Sequence, residues 1–557
     1  MARRPPMTIG RYLVQRLDEI GVGHVFGVPG DYVLTFMDRI VESSIELVGT
    51  CNELNAGYAA DAYARINRVG AVCVTYAVGG FSVLNAIAGA YAERVPLIVI
   101  SGGPSLADRR RGLLLHHTLG DFNAQADIFA KVTIASTVLT DAALAPAQID
   151  RIFAACLRHK RPVFIEIPED LVDHPCLRPE PFRFEAALKS DPAALAEAVE
   201  EAAGMLRNAR RPAVLAGVEI NRFNLRPKAQ ALIERTGYPF ATTLLAKSLI
   251  TEQHPQFIGI YAGALSEGYV QRTVERADCL LNLGSILTDM TLGIYTAALD
   301  ETRLINANSD KVRIKHHEYP EVYLKDFIAA LAKRLPARES IRRIRPAARA
   351  LEAPFHPRPK AAITISRFYQ RLNHFLDRRS IVLADAGDSF LCAGELVMRE
   401  RIGFICQAFY CSIGFTIPAA LGCALADRKK RPVVFVGDGA FQMTAQEIST
   451  IIRHGLNPII FVMNNGGYTV ERVIHDGPYN DIQPWKYHKL PAVFGEAASF
   501  EVCTEGDLET TLTALRKTRD RLCLVEVHLD PQDCSKALKR LGRSLGKRKA
   551  LKTSFGS

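Results

Sequence analysis

The sequence has no closely spaced cysteine pair, although it contains 12 cysteines among 557 residues. Without a Cys-x-x-Cys motif it shows neither a zinc-binding nor a redox pattern, and the scattered positions give no disulfide framework. We therefore expect reduced, mostly buried thiols in a cytoplasmic protein. The opening segment MARRPPMTIGRY is basic but has no apolar run behind it, so it does not fit a secretory signal.

Long apolar runs free of polar residues are also absent. The two uncharged runs, Val74–Ala92 and Cys406–Ala426, are long enough for a membrane span. Both are interrupted by Gly and by polar residues, and both are rich in Ala. We therefore predict buried helices of a large α/β protein, which need not be amphipathic when packed on all sides, and no membrane association.

The positive charge lacks an aromatic surface beside it. The net charge is +10, and the excess is concentrated in Arg338–Lys360 and Ser535–Lys552. A nucleic-acid-binding protein would combine such charge with side chains for base stacking. These segments indicate a solvated linker and a helical tail instead, so we expect no nucleic-acid partner.

The remaining composition is that of a globular protein, with 48% hydrophobic and 23% charged residues, and the chain is too long for one core. Helical and strand patterns alternate along it, which predicts three doubly wound α/β domains with parallel sheets in series. The predicted boundaries are an N-terminal domain over 1–180, a middle domain over 192–337, a linker over 338–360 and a third domain over 361–557, with the helical tail at its end.

One βαβ unit of the third domain carries a candidate site. Val433–Val436 and Ile459–Met463 are apolar, β-branched runs that predict buried parallel strands. Between them, Thr444 and Glu447 form a Thr-x-x-Glu capping box that predicts a helix start. A right-handed crossover places the loops after both strands at the carboxyl edge of the sheet, where ligands bind.

The loops of this unit supply hard oxygen donors. Asp438 offers a carboxylate, Asn465 an amide oxygen, and Gly467 a backbone carbonyl. Such a set suits Mg²⁺, which usually binds few protein groups together with a phosphate. Gly439 and Ala440 leave room for a diphosphate near the helix start. Taken alone, Gly-Asp-Gly and Asn-Asn-Gly-Gly are also ordinary turn sequences.

The first domain contains a second cluster of chemically active residues. Asp31 follows a predicted strand in GVPGD, Glu53 stands at a helix start in CNELNAGYAADAYAR, and His116 and His117 lie in LLLHHTLGDF. A carboxylate at a helix N-terminus is explained equally well by the helix dipole. Several titratable groups on successive loops of one sheet, however, favour a catalytic site.

These motifs, with SIGFT, GDG followed by NN, and GYTVERVIHDGPYN, resemble the thiamine diphosphate-dependent 2-oxo acid decarboxylases, the group of pyruvate, indolepyruvate and phenylpyruvate decarboxylases. The resemblance extends from Thr8 to about Leu541. It implies a pyrimidine-binding first domain, a middle domain and a diphosphate-binding third domain. The paired histidines and Glu471 are specific to the decarboxylase branch, which argues against the alternative of a carboligase.

The resemblance assigns the cofactor residues. Mg²⁺ would be held by Asp438, Asn465 and the Gly467 carbonyl. Ile413 would bend the cofactor, and the Cys411 carbonyl would accept a hydrogen bond from its aminopyrimidine, at a position where relatives usually have Gly. The full implied cofactor-binding set is Glu53, Asp388, Cys411, Ile413, Gly439, Ala440, Asn465, Gly467, Tyr468, Thr469 and Val470.

The resemblance also assigns the catalytic groups. Glu53 would bond the pyrimidine ring and promote loss of the thiazolium C2 proton, after which the cofactor serves as the electron sink for CO₂ release. Asp31, His116, His117 and Glu471 would relay the remaining protons. In this family the first domain of one chain meets the third domain of another over the cofactor, so a homodimer is the minimum unit and a homotetramer is expected.

The prediction of substrate size depends mainly on the residue at one position. Bacterial pyruvate decarboxylases resembling this chain have Trp where it has Phe390. With Ala386 and Thr291 small, and Val470 and Ile474 keeping the wall apolar, we expect a pocket that prefers aromatic or branched-chain 2-oxo acids to pyruvate. The alternative is a pyruvate decarboxylase proper.

Overall fold

A computed structural model describes residues 6–182, 188–337, 354–399 and 402–544. The chain folds into three β-sheets distributed over two compact units. One unit consists of Met1–Ala187 with Phe415–Arg428 and Thr444–Leu456, and the other contains the rest of the chain. Most of the predicted linker and the end of the predicted tail, residues 338–353 and 545–557, lie outside the described residues.

The first sheet is six-stranded and entirely parallel, in the order β2-β1-β3-β4-β6-β5. Its central strands are buried on both faces, which explains their continuous apolar sequences. The strands are β1 His24–Gly27, β2 Glu46–Gly49, β3 Gly70–Val74, β4 Leu97–Gly103, β5 Ala135–Val138 and β6 Val163–Pro168. The helices of this region are Ile9–Glu19, Leu34–Val41, Glu53–Asn67, Val78–Ala92, Leu106–Arg111, Ala124–Val132 and Ala145–His159.

Small residues allow two helices of this unit to pack closely. A Cβ atom on Gly422, in helix Thr416–Ala426, would lie 2.0 Å from the carbonyl oxygen of Ala59, in helix Glu53–Asn67. Glycine at this position therefore permits direct contact between the helices. The same interface holds an edge-to-face pair of Tyr58 and Phe415, whose ring centroids are 5.6 Å apart.

The second sheet has seven strands in the order β13-β12-β11-β10-β7-β8-β9. It is parallel except for a β12–β13 hairpin at one edge, which turns through Lys315 at a φ of 53°. The strands are β7 Pro212–Ala216, β8 Phe240–Thr242, β9 Phe257–Ile260, β10 Cys279–Leu283, β11 Leu304–Ala307, β12 Lys311–Ile314 and β13 His317–Pro320. The helices are Pro192–Asn208, Val218–Arg222, Arg226–Thr236, Gly268–Glu275 and Leu324–Arg334.

The third sheet repeats the topology of the first. Its order is β15-β14-β16-β17-β19-β18, and all of its strands are parallel. The strands are β14 Ser380–Ala384, β15 Gly403–Cys406, β16 Arg431–Gly437, β17 Ile459–Asn464, β18 Ala498–Val502 and β19 Cys523–His528. The helices of this part of the chain are Ile365–Leu372, Asp388–Ala393, Thr416–Ala426, Asp438–Thr444, Ile448–Arg453, Thr469–Ile474, Pro491–Phe494 and Glu505–Lys517. Three α/β sheets in series confirm the predicted fold class.

The two matching sheets have corresponding switch points. In each, the chain reverses its direction of travel between the first and third strands, β1 and β3 in one and β14 and β16 in the other. Ligands bind outside the carboxyl ends of strands at such positions. The predicted site residues Asp31, Asp388 and Asp438 follow β1, β14 and β16.

The predicted capping box at Thr444 and Glu447 is wrong, because Thr444 makes no side-chain capping bond to the turn that follows it, and an earlier helix was not predicted. Helix Asp438–Thr444 begins directly after β16, a 3₁₀ turn Ala445–Glu447 interrupts it, and Ile448–Arg453 continues. Since burial occurs all along this segment, apolar spacing gave no sign of the earlier turn. Glu447 has a different function, described below.

The two uncharged runs form the predicted helices, Val78–Ala92 and Thr416–Ala426. In the part of the chain that the structure describes, no helix has the length and apolar character needed to span a membrane. The tail is helical over residues 536–544, where Leu538 and Leu541 pack beside Leu265 and Val473. All 12 cysteines are free thiols, as expected.

Candidate active site

Asp438 is a buried carboxylate surrounded by backbone donors. Its Oδ1 accepts the Gly439 N–H at 2.8 Å, and its Oδ2 accepts the N–H groups of Asn465, Gly466 and Gly467 at 3.1, 2.7 and 3.2 Å. Burial raises the pKa of Asp438 to about 6, although these four donors oppose the shift. A cation bound to this carboxylate would supply the missing countercharge.

Asn465 presents an unused oxygen beside Asp438. Its Nδ2 donates to Thr469 Oγ1 at 2.5 Å, while its buried Oδ1 has no hydrogen-bond partner among the described residues. Leaving a buried acceptor unsatisfied costs about 1–3 kcal/mol, and a metal ion would remove that cost. The orphan oxygen and the buried carboxylate therefore fit the predicted Mg²⁺ ligands.

Gly467 is required by the conformation of this loop. Its φ is 144°, and a Cβ atom there would lie 2.0 Å from the Asn480 carbonyl oxygen. The same carbonyl accepts the Tyr468 N–H at 2.9 Å. Because glycine alone tolerates both constraints, the loop is fixed and the Gly467 carbonyl has a defined position.

Arg472 is a site residue that the sequence analysis missed. Its guanidinium donates to the carbonyls of Asn465 and Gly466 at 3.1 and 2.7 Å and pairs with Asp481 at 2.7 Å. These bonds hold the backbone of the loop in place. An arginine one turn into a helix has no distinctive pattern, so only the structure could reveal this function.

The segment after β16 leaves space for a ligand. A Cβ atom on Gly439 would lie 2.4 Å from the Tyr468 ring, whereas Gly437 and Gly466 face open space. Ala440 is buried. After β14, Asp388 is also buried, and its Oδ2 accepts the Ser535 N–H at 2.7 Å. Burial raises the pKa of the Asp388 carboxyl.

Cys411 has backbone geometry that favours glycine. Its φ is 56°, in the left-handed region, where a residue with a Cβ atom is disfavoured. The following Gly414 donates its N–H to the buried Asp385 Oδ1 at 3.0 Å. Asp385 thereby fixes the loop that holds Cys411 and Ile413, and it too was missed from sequence.

The other unit brings Asp31, His116 and His117 together. His116 Nε2 lies 2.5 Å from Asp31 Oδ2, and the two histidine rings are edge to face with centroids 4.7 Å apart. Tyr32 stacks on His116 at 4.8 Å. The Asp31 and His116 side chains are more than half exposed, so they can exchange protons with a ligand.

Glu53 begins helix Glu53–Asn67, as predicted. The Asn52 side chain caps this helix by accepting the Asn55 N–H at 2.8 Å. The Glu53 carboxylate itself has no hydrogen-bond partner among the residues that the structure describes. Gly79 leaves room for it, since a Cβ atom there would lie 3.3 Å from Glu53 Oε1.

Residues on both sides of Glu53 are attached to Glu447, which belongs to the same unit. Glu447 Oε2 accepts the Asn55 Nδ2–H at 2.6 Å and the Cys51 N–H at 3.2 Å. Cys51 Sγ also lies 3.3 Å from the Gln446 carbonyl oxygen. Burial raises the pKa of Glu447. Its carboxyl group therefore fixes the backbone that presents Glu53.

The remaining predicted residues lie in the same unit as Asp438. Glu471 lies exposed on helix Thr469–Ile474. Phe390 and Ala386 are buried in one apolar core, against which Cys411 and Ile413 pack. Thr291 is buried and donates to the Ile286 carbonyl, and Ile474 is 41% exposed. Val470 packs against a smaller cluster with Leu538, and Leu391 packs against both this cluster and the core of Phe390.

Comparison with known proteins defines the class of this chain. Residues 7–127 match the thiamine pyrophosphate enzyme N-terminal TPP binding domain, residues 199–335 match the central domain, and residues 385–527 match the C-terminal TPP binding domain. The three matches follow one another in the order of the three sheets.

Relatives that match over most of both chains indicate which group of thiamine diphosphate enzymes this chain resembles. The chain is 39% identical over 551 residues to pyruvate decarboxylase 1 of Oryza sativa subsp. japonica, covering 96% of this chain and 91% of that protein. It is 38% identical over 556 residues to pyruvate decarboxylase 1 of Pisum sativum, covering 96% and 92%. The chain therefore belongs to the thiamine diphosphate-dependent 2-oxo acid decarboxylases, and thiamine diphosphate is its cofactor.

Proposed function

We propose that this enzyme converts a 2-oxo acid to an aldehyde and CO₂ without oxidation, with Mg²⁺ beside thiamine diphosphate, and prefers aromatic or branched-chain acids to pyruvate. The observation that supports this reaction is that one decarboxylase-family chain contains two features. These are the oxygen-donor set around Asp438 and the acid-base cluster around His116.

Mg²⁺ would be bound by Asp438, Asn465 and the Gly467 carbonyl. The support for this assignment is the buried carboxylate and the unpartnered Asn465 oxygen. Octahedral Mg²⁺ prefers such oxygen ligands and completes its shell with phosphate oxygens and water. Arg472 would maintain the loop by holding the carbonyls that face away from the metal.

The predicted cofactor-binding residues are retained as proposals. The Cys411 carbonyl, Ile413 and Glu53 would contact the organic rings. Asp388, Gly439, Ala440 and residues 465–470 would line the remainder. When bound, thiamine diphosphate supplies the electron sink that decarboxylation requires.

The residues of the chain would transfer the protons that the reaction requires. Glu53 would exchange one with the pyrimidine ring, and the fact that no described residue forms a hydrogen bond with its carboxylate favours that function. Asp31 and His116, 2.5 Å apart, would share a proton, and His117 and Glu471 would assist. The four groups are proposed as one set, without a separate proton step for each.

The substrate preference rests on the size of Phe390. A phenyl ring occupies less volume than the Trp of the bacterial pyruvate decarboxylases, and Ala386 in the same core adds no bulk. Each additional buried methylene contributes about 0.8 kcal/mol, so a larger substrate gains if the space opens to the cofactor. The second candidate is a pyruvate decarboxylase, which the names of the plant relatives favour.

The test is kcat/KM for pyruvate, 4-methyl-2-oxopentanoate, phenylpyruvate and indolepyruvate. We expect higher values for the larger acids, and we expect Phe390→Trp to lower those values while pyruvate is spared. Phe404→Trp, elsewhere on this core, controls for general repacking. A clear preference for pyruvate by the wild-type enzyme would establish the second candidate.

Product analysis separates a decarboxylase from a carboligase. We expect free aldehyde and CO₂ in equal amounts, and acetolactate from pyruvate would contradict the assignment. We further propose a cytoplasmic homodimer that pairs into a homotetramer and requires neither nucleic acid nor membrane.

A further inference from the structure

Five potential metal ligands lie together at the edge of the third sheet, outside the candidate active site. They are His488, Glu501, Cys503, Glu526 and His528, and we call them the edge cluster. Glu501 is on the edge strand β18, and Cys503 follows it directly; Glu526 and His528 are on the neighbouring β19. His488 is contributed by the 3₁₀ turn Tyr487–Lys489.

Strand register explains why these side chains meet. Glu501 is paired with Glu526 across the parallel strands. Residues two apart along a strand project from the same face, so Cys503 and His528 lie beside the two glutamates. Their neighbours Val502 and Val527 point to the apolar core on the other face. Two carboxylates opposite each other repel, which a bound cation would relieve.

The distances are compatible with a metal ion of low coordination number. His528 Nε2 lies 2.9 Å from Glu501 Oε1 and 3.6 Å from Glu526 Oε1, and His488 Nδ1 lies 3.8 Å from Glu501 Oε1. The ligand atoms of Glu501, Cys503 and His528 are all within 4.8 Å of one another. Tetrahedral zinc with bonds of about 2.0–2.3 Å requires ligand atoms about 3.3–3.8 Å apart, so small side-chain movements suffice.

A second layer of contacts supports the cluster. The buried Glu526 accepts the His488 N–H at 2.9 Å and the Asn464 Nδ2–H at 2.7 Å, and its Oε2 lies 2.6 Å from His488 Nδ1. Glu526 Oε1 in turn lies 3.6 Å from His528 Nε2, so this hydrogen-bonded pair borders one of the ligands. Cys503 is exposed, so an ion can enter from solvent.

We propose that Glu501, Cys503 and His528 bind a divalent transition-metal ion such as Zn²⁺, with the His488–Glu526 pair supporting them. A thiolate and an imidazole select a softer ion than the oxygen donors around Asp438, which suit Mg²⁺. The two sites therefore bind different metals. This site is independent of the proposed substrate.

Cobalt substitution tests the proposal on the holoenzyme. Protein saturated with Mg²⁺ and thiamine diphosphate, freed of other metals and kept reduced, is titrated with Co²⁺ and then with Zn²⁺. We expect one Co²⁺ per chain, visible absorption of a four-coordinate ion, and a near-ultraviolet thiolate-to-cobalt band that Zn²⁺ removes. Neither Asp438 nor the Asp31–His116–His117 cluster includes a thiol, so the thiolate band is specific to a cysteine site.

Variants locate the bound ion. Cys503→Ser should abolish the thiolate band, and His528→Gln should weaken Co²⁺ binding at least about tenfold, the scale on which site residues act. Cys51→Ser alters the other exposed cysteine, and His317→Gln alters an exposed histidine paired with Glu201 at 3.1 Å. Both controls should bind as wild type. An unchanged band in Cys503→Ser, or octahedral weak binding in wild type, would overturn the proposal.

Discussion

At the scale of single residues, the candidate metal site is indicated by a buried carboxylate without a countercharge and a buried amide oxygen without a hydrogen bond from the described residues. Asp438 is buried with all of its hydrogen bonds supplied by backbone, so no side-chain charge is needed to hold it in place. The Asn465 amide nitrogen donates a hydrogen bond, whereas its buried Oδ1 has no partner among the described residues. A bound cation would neutralise the buried carboxylate and give the Asn465 oxygen a partner.

Asn465→Ala should therefore weaken Mg²⁺ binding at least about tenfold, a loss of about 1.4 kcal/mol, because it removes one ligand of the ion. Bound metal and thiamine diphosphate, measured after gel filtration, check this directly. Asn464→Ala is the matched control, since the Asn464 side chain donates to Glu526 instead. Full occupancy in Asn465→Ala would contradict the ligand assignment.

Glu53 allows a second test at this scale. Glu53→Gln should retain cofactor but lower kcat by about 10²–10⁴-fold, because an amide cannot exchange the proton. If Glu53 only complements the helix dipole, the variant would lose about 0.3–1 kcal/mol of stability and keep its kcat. Steady-state kinetics with urea unfolding distinguishes the two, and Glu46→Gln, at the exposed start of β2, serves as control.

Sequence predicted site residues whose chemistry is unusual and did not indicate residues whose contacts depend on position. Asp438, Asn465, Glu53 and the paired histidines were predicted because their types and loop positions are distinctive. Arg472 and Asp385 could not be, because an arginine on a helix and an aspartate after a strand are common. Their importance lies in which carbonyl or N–H they contact, which only tertiary structure determines.

At the scale of elements, buried strands were predictable and interrupted helices were not. Strands β16 and β17 are apolar except for Arg431 at the start of one and Asn464 at the end of the other, because both faces are covered. The segment after β16 was misplaced because a Thr-x-x-Glu pattern can be a capping box or, as here, can place a glutamate for a distant contact. The β12–β13 hairpin was missed since Lys315-His316 lacks the usual Asn-Gly or Asp-Gly turn signal.

The contact made by Glu447 gives a prediction about helix Glu53–Asn67. Glu447→Leu would leave the Asn55 amide and the Cys51 N–H without their acceptor, at a cost of about 1–3 kcal/mol of folding stability. It should also reduce kcat, since Glu53 lies between those two residues. Glu447→Gln retains an acceptor oxygen and should be milder in both respects.

Urea unfolding and kcat together check this prediction. Glu509→Leu removes a more exposed carboxylate, paired with Arg371 at 2.5 Å, and provides the control for loss of a glutamate. Equal stability and equal kcat for Glu447→Leu and Glu447→Gln would show that the carboxyl group does not position the helix start.

At the scale of the whole molecule, the first and third sheets share one strand order, so the chain contains the same framework twice. Each framework places its chemical groups outside its own switch point. The first presents acids and imidazoles, and the third presents oxygen donors for a metal. Sequence predicted the three α/β sheets because alternation of helix and strand is a local property; the repeated strand order depends on pairing between distant segments.

Because the first and third sheets carry different chemical groups, complementation between two variants can test the dimer proposal. If a site combines the first domain of one chain with the third domain of its partner, a heterodimer of Glu53→Gln and Asp438→Ala has one site carrying both substitutions and one site carrying neither. Co-expression with two different tags and purification on both isolates this heterodimer. By symmetry it should have about half of wild-type activity, although each parent homodimer is nearly inactive.

The opposite arrangement gives a different result. If each site is formed by one chain, both sites of the heterodimer carry a single substitution, and activity should remain at the level of the parents. A heterodimer of Glu53→Gln chains with two tags controls for tagging and purification. Activity at the parental level, with thiamine diphosphate and Mg²⁺ saturating and the oligomer intact by light scattering, would contradict the shared site, because neither loss of cofactor nor dissociation could then account for the missing half.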